Sequence, residues 1–242
     1  MKKKILIYLL LPLFLFTSCG DWLDVVPKGD ITTIDSDFET YAEAEKWLES
    51  CYVFLQFPYI LAGNAAFWGS DEMVADDYLR NNYHPEGLNI IMGLQNVLTP
   101  YDDFWYTFDG TMRDDYYTAI VMCNHFITRI DNVYNLEDVD KRERKAEVKA
   151  LKAFFYFELV RRYGPVIIVP EQLDPNQDVE QLKYPRSHVD TCFNYIVRLC
   201  DEAIPNLPDA KQKVSDRRAY FNKEAAMALK ARALVYQASD LF

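Results

Sequence analysis

The sequence predicts a mainly α protein of stacked helical hairpins with long loops inserted between them. Three observations predict it. Apolar residues recur at helical spacing in four separate segments, and a fifth, behind Asn222, is rich in alanine. One of these, inside 138–169, is apolar on almost every side, as a helix packed from two sides must be. Half of the 242 residues are hydrophobic and only 8 are glycine, which gives the chain the material for a sizeable core.

The chain opens with Lys2, Lys3 and Lys4, then an apolar run over 5–16, then Thr17-Ser18-Cys19. A positive start, an apolar middle and small residues at the end are the pattern of a signal peptide over residues 1–18. Twelve apolar residues as a helix reach about 18 Å against a hydrocarbon core of about 30 Å, so a membrane-spanning anchor is excluded. A cysteine directly after such a leader points to lipid attachment at Cys19; an ordinary secretory leader with an incidental cysteine is the alternative. Residues 20–29 lack helical period and end in turn formers, which predicts an extended lead-in.

Ser36 followed by Glu39 forms a capping-box pattern. Tyr41, Ala44, Leu48, Cys51, Tyr52 and Leu55 then predict an amphipathic helix to about residue 55, with Pro58 ending it. Residues 56–112 have poor periodicity, scattered Gly, Asn, Asp and Pro, and many aromatics, which predicts long functional loops. Tyr117, Ile120, Val121, Asn124, Ile127 and Ile130 define the next helix, with Asn124 on its apolar stripe as a satisfied polar group tying down a loop.

The central helix follows. Val148, Leu151, Phe155 and Leu159 form one stripe, and Ala150, Phe154, Phe157 and Val160 a second. The charged stretch 141–149 reads as a solvated helix face. Arg161 and Arg162 suit the negative helix end, Glu158 is placed to pair with Arg162, and Gly164-Pro165 stops the helix. Residues 166–169 are a short β-branched run that predicts a strand. Ser187 with Asp190 predicts a capping box for a helix burying Val189, Cys192, Ile196, Leu199, Cys200 and Ala203. Asn222 predicts the N-cap of a last, alanine-rich helix. Ala150-Leu151-Lys152-Ala153 is echoed by Ala228-Leu229-Lys230-Ala231, which points to repeated helix pairs of tetratricopeptide type.

Net charge is −11 at pH 7 and no basic stripe interleaved with aromatics is present, so nucleic acid is excluded as a partner. Cys192 and Cys200, on one helix about 12 Å apart, are too distant for a disulfide. They read, with Cys51 and Cys123, as small buried apolar residues. No Cys/His spacing fits zinc and no acidic run fits a calcium loop, so neither a metal nor a cofactor is expected.

Four segments together resemble the SusD/RagB family of outer-membrane nutrient-binding lipoproteins. They are Ser18-Cys19 with Trp22-Leu23-Asp24-Val25 and Pro27-Lys28-Gly29; 150–166; Arg186-Ser187 through Tyr195-Ile196 to Leu207-Pro208; and Asn222-Lys223-Glu224-Ala225-Ala226 through Ala233. The resemblance implies an α-rich fold of tetratricopeptide-like helix pairs with loop insertions. It implies a lipoprotein anchored through Cys19 in the outer membrane, facing the cell exterior, that binds glycan and delivers it to a SusC-like TonB-dependent transporter. RagB-like members carry peptide instead. Three features depart from the family pattern: Phe16 stands where the lipobox usually has Leu, relatives continue well beyond Phe242, and the loop aromatics of 67–108 match no fixed family motif, so no ligand residue is carried over from the resemblance. Residues 19–242 are therefore expected to be the N-terminal region of such a protein, incomplete at the C-terminus.

Sugar binding needs flat aromatic faces for the CH side of the ring and polar groups for its hydroxyls. Trp68, Trp105 and Tyr106, with Arg80, Asn81 and Asn82, supply both types and are the glycan-binding candidates; the same aromatics also serve to pack loops onto helices. Paired acids at Asp71-Glu72, Asp76-Asp77, Asp102-Asp103 and Asp114-Asp115 are expected by chance among 37 acidic residues. No catalytic constellation stands out, and no enzyme activity is expected. Three readings follow: a glycan-binding surface lipoprotein, a peptide-binding relative of the same architecture, and a secreted hydrolase.

Overall fold

The computed structural model describes residues 38–55, 76, 78, 92–94, 96, 105, 115–173, 177–213, 217 and 219–242. Five α-helices lie among them: α1 (Tyr41–Tyr52), α2 (Tyr116–Arg129), α3 (Asp138–Tyr163), α4 (Val189–Ala203) and α5 (Lys223–Gln237). No strand occurs among the described residues. Each helix packs on the next, and α3 also touches α1 and α5. The short connection between α2 and α3 turns the chain back on itself, so the two form a hairpin. The helix-pair architecture expected from the sequence is the one observed. None of the described helices is long and apolar enough to cross a membrane.

Capping explains where the helices begin. Thr40, not Ser36, caps α1: Oγ1 accepts from the Glu43 amide, and the Glu43 carboxylate accepts the Thr40 amide at 2.8 Å. That bonding holds the Glu43 carboxyl below its ordinary range. The helix stops at Tyr52, short of the expected residue 55, and Pro58 lies outside the described residues. Asp115 caps α2, accepting the amides of Tyr117 and Thr118 at 3.0 Å. For α4 the cap is His188, whose Nδ1 accepts the Asp190 amide at 3.3 Å, rather than Ser187. Asn222 caps α5 as its sequence predicts, accepting the Ala225 amide at 2.8 Å. At the other end of α3, Gly164 takes φ +68°, a left-handed turn that side chains disfavour and that ends the helix.

The core is centred on α3. Val148, Leu151, Phe155, Leu159, Ala150, Phe157 and Val160 are all buried, and Phe154 is half-buried. Phe155 meets the rings of Tyr116 at 5.3 Å and Phe54 at 6.5 Å, while Phe157 meets Tyr236 of α5 at 5.1 Å. Cys51, Cys123, Cys192 and Cys200 are buried free thiols, as expected. Along α2 the buried line runs through Tyr116, Ala119, Ile120, Cys123, Phe126 and Ile127, which leaves Val121 on the surface. On α5, Ala226, Leu229 and Ala233 are buried while Met227, Leu234 and Val235 face outward.

The stretch 141–149 is not a solvated face. Glu147 is fully buried and Arg144 nearly so. Their charges are matched by residues far away in sequence. Arg144 Nε meets Glu45 Oε1 at 2.6 Å; Arg217 bridges Glu45 at 2.6 Å and Glu147 at 3.0 Å; Lys213 Nζ stands 3.5 Å from Glu147. Tyr52 donates its hydroxyl to Glu147 at 2.8 Å and accepts the Phe221 amide at 2.8 Å. Burial pushes the Tyr52 hydroxyl up and the Lys213 ammonium down from their ordinary values. Glu158 pairs with Arg162, as predicted, and with Arg161 at 2.7 Å.

Candidate functional site

Residues 166–170 follow α3 without pairing to a strand. The Val166 carbonyl accepts the Ser187 amide at 2.8 Å, and side chains bond the backbone of 167, 169 and 170. The Tyr117 hydroxyl accepts the Ile167 amide at 2.9 Å and donates to the Ile167 carbonyl at 3.3 Å. Tyr156 accepts the Val169 amide at 2.9 Å, and Asn124 Nδ2 donates to the Pro170 carbonyl at 3.0 Å. Asn124 thus ties a loop, as its place on an apolar stripe predicts, but it is not fully satisfied: its Oδ1 has no hydrogen-bond partner. Next to it, fully buried Lys152 reaches Glu171 at 3.2 Å. Desolvation pushes the Tyr117 hydroxyl up to about 12, so it stays a donor at neutral pH.

This pinned segment forms one wall of two hollows beside α2. The first, of about 430 Å³, is lined by Trp105, Tyr117, Val121, Ile167, Val169, Leu173, Leu182 and Tyr184. Trp105 is half-buried and held edge-on by Tyr117 at 4.9 Å and Tyr163 at 5.3 Å, with the Arg186 guanidinium 4.4 Å from its ring centre. The second hollow, of about 490 Å³, is polar, and Asn124, Thr128, Arg129, Asn132, Glu171 and Gln172 are among its lining residues. Both volumes fall within the range of small-ligand sites.

Of the candidates read from the sequence, Trp105 stands at a hollow. Its packing against Tyr117 and Tyr163 is the loop-anchoring contact the sequence also offered. Cys19, Trp68, Arg80, Asn81, Asn82 and Tyr106 lie outside the described residues. Sequence reasoning missed Tyr117, Tyr184 and the polar lining of α2. The available signal was the spacing of Tyr117, Val121, Asn124 and Thr128, which puts an aromatic and two polar groups along one helix face. Among the described residues, no group of His, Cys, Asp and Glu is arranged to hold a metal.

The described residues define an α-helical class of protein that carries an aromatic-lined hollow beside α2. Comparison with known proteins makes the class specific. Residues 21–235 match the model of a SusD-like family described as starch-binding associating with outer membrane, and the chain belongs to that family. A SusD-like protein of Bacteroides ovatus is 25% identical over 225 residues, covering 88% of this chain and 36% of the relative. The crystal structure of a SusD-like protein from Bacteroides fragilis superposes with a TM-score of 0.64 at 26% identity, covering 84% of this chain and 36% of that one. A laminarin-binding SusD-like protein shares the fold, with a TM-score of 0.65 at 22% identity, over 83% of this chain and 41% of its own. The chain therefore spans little more than a third of the length of the relatives it matches.

Proposed function

We propose that this chain is the N-terminal part of a non-enzymatic, cell-surface nutrient-binding lipoprotein. It is anchored in the outer membrane through Cys19, captures glycan and delivers it to a SusC-like TonB-dependent transporter. Family membership supports the reading, and the single structural observation that carries it is Trp105 at the mouth of the apolar hollow. Its indole is fixed by three neighbours before any ligand arrives, so little entropy is lost on binding. Arg186 occupies one part of the ring, and stacking uses the side that lines the hollow. The CH face of a sugar suits that surface, and the polar residues alongside take its hydroxyls. A lipid-anchored protein has no path of its own through a membrane, which is why a transporting barrel completes the scheme.

Calorimetric titration tests it. Wild-type protein and Trp105→Ala are compared on laminarin, starch, mannan and a peptide pool, with thermal melts alongside. Trp105→Ala weakens glycan binding by about 1–3 kcal/mol. Binding of peptides in place of glycans moves the assignment to the peptide-carrying branch. Product release would show a hydrolase. Unchanged affinity in Trp105→Ala with a large loss of melting temperature would make Trp105 a packing residue alone.

A further inference from the structure

The two hollows are neighbours: Val121 and Leu173 line both. Their common floor is one face of α2 and the turn after it: Tyr117, Val121, Asn124, His125, Thr128 and Asn132 line them at helical spacing. From Tyr117 to Asn132 that face runs about 22 Å at the rise of a helix. The opposite wall is the segment pinned by Tyr117, Tyr156, Asn124 and Lys152. The groove is apolar at its Trp105 end and polar at its Asn132 end.

One atom in the polar half is unspent. Asn124 is 3% exposed and uses its amide nitrogen on Pro170, while its Oδ1 has no hydrogen-bond partner. A buried acceptor without a donor is disfavoured, and a hydroxyl reaching it from the hollow would satisfy it. Thr128, Asn132 and Gln172 add neutral donors and acceptors on both sides, the Glu171 carboxylate is already matched by Lys152, and Arg129 and His125, which also line this half, are already engaged in interactions of their own. Neutral amides and a hydroxyl facing a groove suit a neutral, hydroxyl-rich chain better than a charged one.

We infer that the two hollows form one extended site for a neutral oligosaccharide of several sugars, with the Asn124–Asn132 half reading chain length beyond the unit held at Trp105. The inference rests on the glycan-binding reading above and deepens it. A single sugar fills only one end of the groove. A longer chain gains contacts in the polar half without any new aromatic platform.

The test uses the full chain and neutral gluco-, manno-, xylo- and fructo-oligosaccharides, each offered as disaccharide and hexasaccharide. Asn132 and Gln172 are exposed, so the double variant Asn132→Ala/Gln172→Ala keeps the fold, and its melting temperature verifies this. In at least one series the hexasaccharide binds the wild type at least about tenfold more tightly than the disaccharide, and the double variant removes most of that gain while leaving disaccharide affinity unchanged. Equal binding of both lengths, or a length preference the double variant does not alter, overturns the extended site. If Trp105→Ala still weakens binding in that case, the glycan-binding reading stands on its own. Failure of the wild type to bind any member of the four series overturns both.

Discussion

The two halves of α3 are held by opposite chemistry. Its N-terminal half meets α1 and the approach to α5 through charge: Arg144 and Glu147 engage Glu45, Lys213, Arg217 and the Tyr52 hydroxyl. The C-terminal half is filled by rings, with Phe155 and Phe157 fully buried among Tyr116, Phe54 and Tyr236. Apolar packing is indifferent to direction and gains energy from area. A buried ion cluster gains little net energy, because desolvation offsets most of its attraction, but it fixes which segments meet. The aromatic half therefore supplies stability and the charged half supplies register.

Three substitutions or titrations break this contrast. The largest effect is expected from Phe155→Ala, which leaves a cavity among rings and costs about 3–5 kcal/mol, read by denaturant unfolding. An unchanged midpoint would remove the aromatic half as the main source of stability. Glu147→Gln comes next. It keeps volume and an acceptor for Tyr52 but removes the charge facing Lys213 and Arg217, at a cost of about 2–3 kcal/mol. Arg217 keeps Glu45, which is why the loss stays below that of Phe155→Ala. If Glu147→Gln is neutral, the cluster is solvated in solution and the contrast between the halves fails.

The smallest effect is a pH dependence on the groove side. Tyr117 is raised above its ordinary value to about 12 by burial. A raised folded-state value means that the stability is fully present below pH ~10 and is lost as pH climbs from there through about 12. Tyr156, also raised by burial, acts in the same direction. Unfolding curves taken across that window, with tyrosinate absorbance as the second signal, check it. Tyr117→Phe removes part of the slope. Stability that rises with pH over this window would contradict the sign.

How much of this was legible in the sequence follows from where partners sit. Helix existence was legible because each helix carries its own stripe, and Asn222 and Gly164 act on their immediate neighbours. Boundaries were less so. Ser36…Glu39 and Thr40…Glu43 are overlapping cap patterns, and local sequence does not choose between them. Ser187 was the better cap by type, yet His188 sits where its ring nitrogen reaches the Asp190 amide. The run 141–149 looked solvated because Glu45, Lys213 and Arg217 come from distant segments. The run 166–169 looked like a strand because its partners are the hydroxyls of Tyr117 and Tyr156, which no periodicity shows. The candidate site was legible only at Trp105; its remaining lining converges from α2 and from 167–184.

The ion cluster also has a consequence for the order of events in time. Arg217 reaches back 172 residues to Glu45, and the Phe221 amide 169 residues to Tyr52. Until the distant segment arrives, the stripe of α1 is free to dock on α2 and α3, but its carboxylate lacks a late partner. Contacts of such sequence separation form slowly, since the closing loop's entropy is lost before they reward it. The cluster is thus a late checkpoint in folding. A chain whose Lys213 and Arg217 have not yet docked has Arg144 as the cation between Glu45 and Glu147, and α1 is then the element most exposed to misdocking.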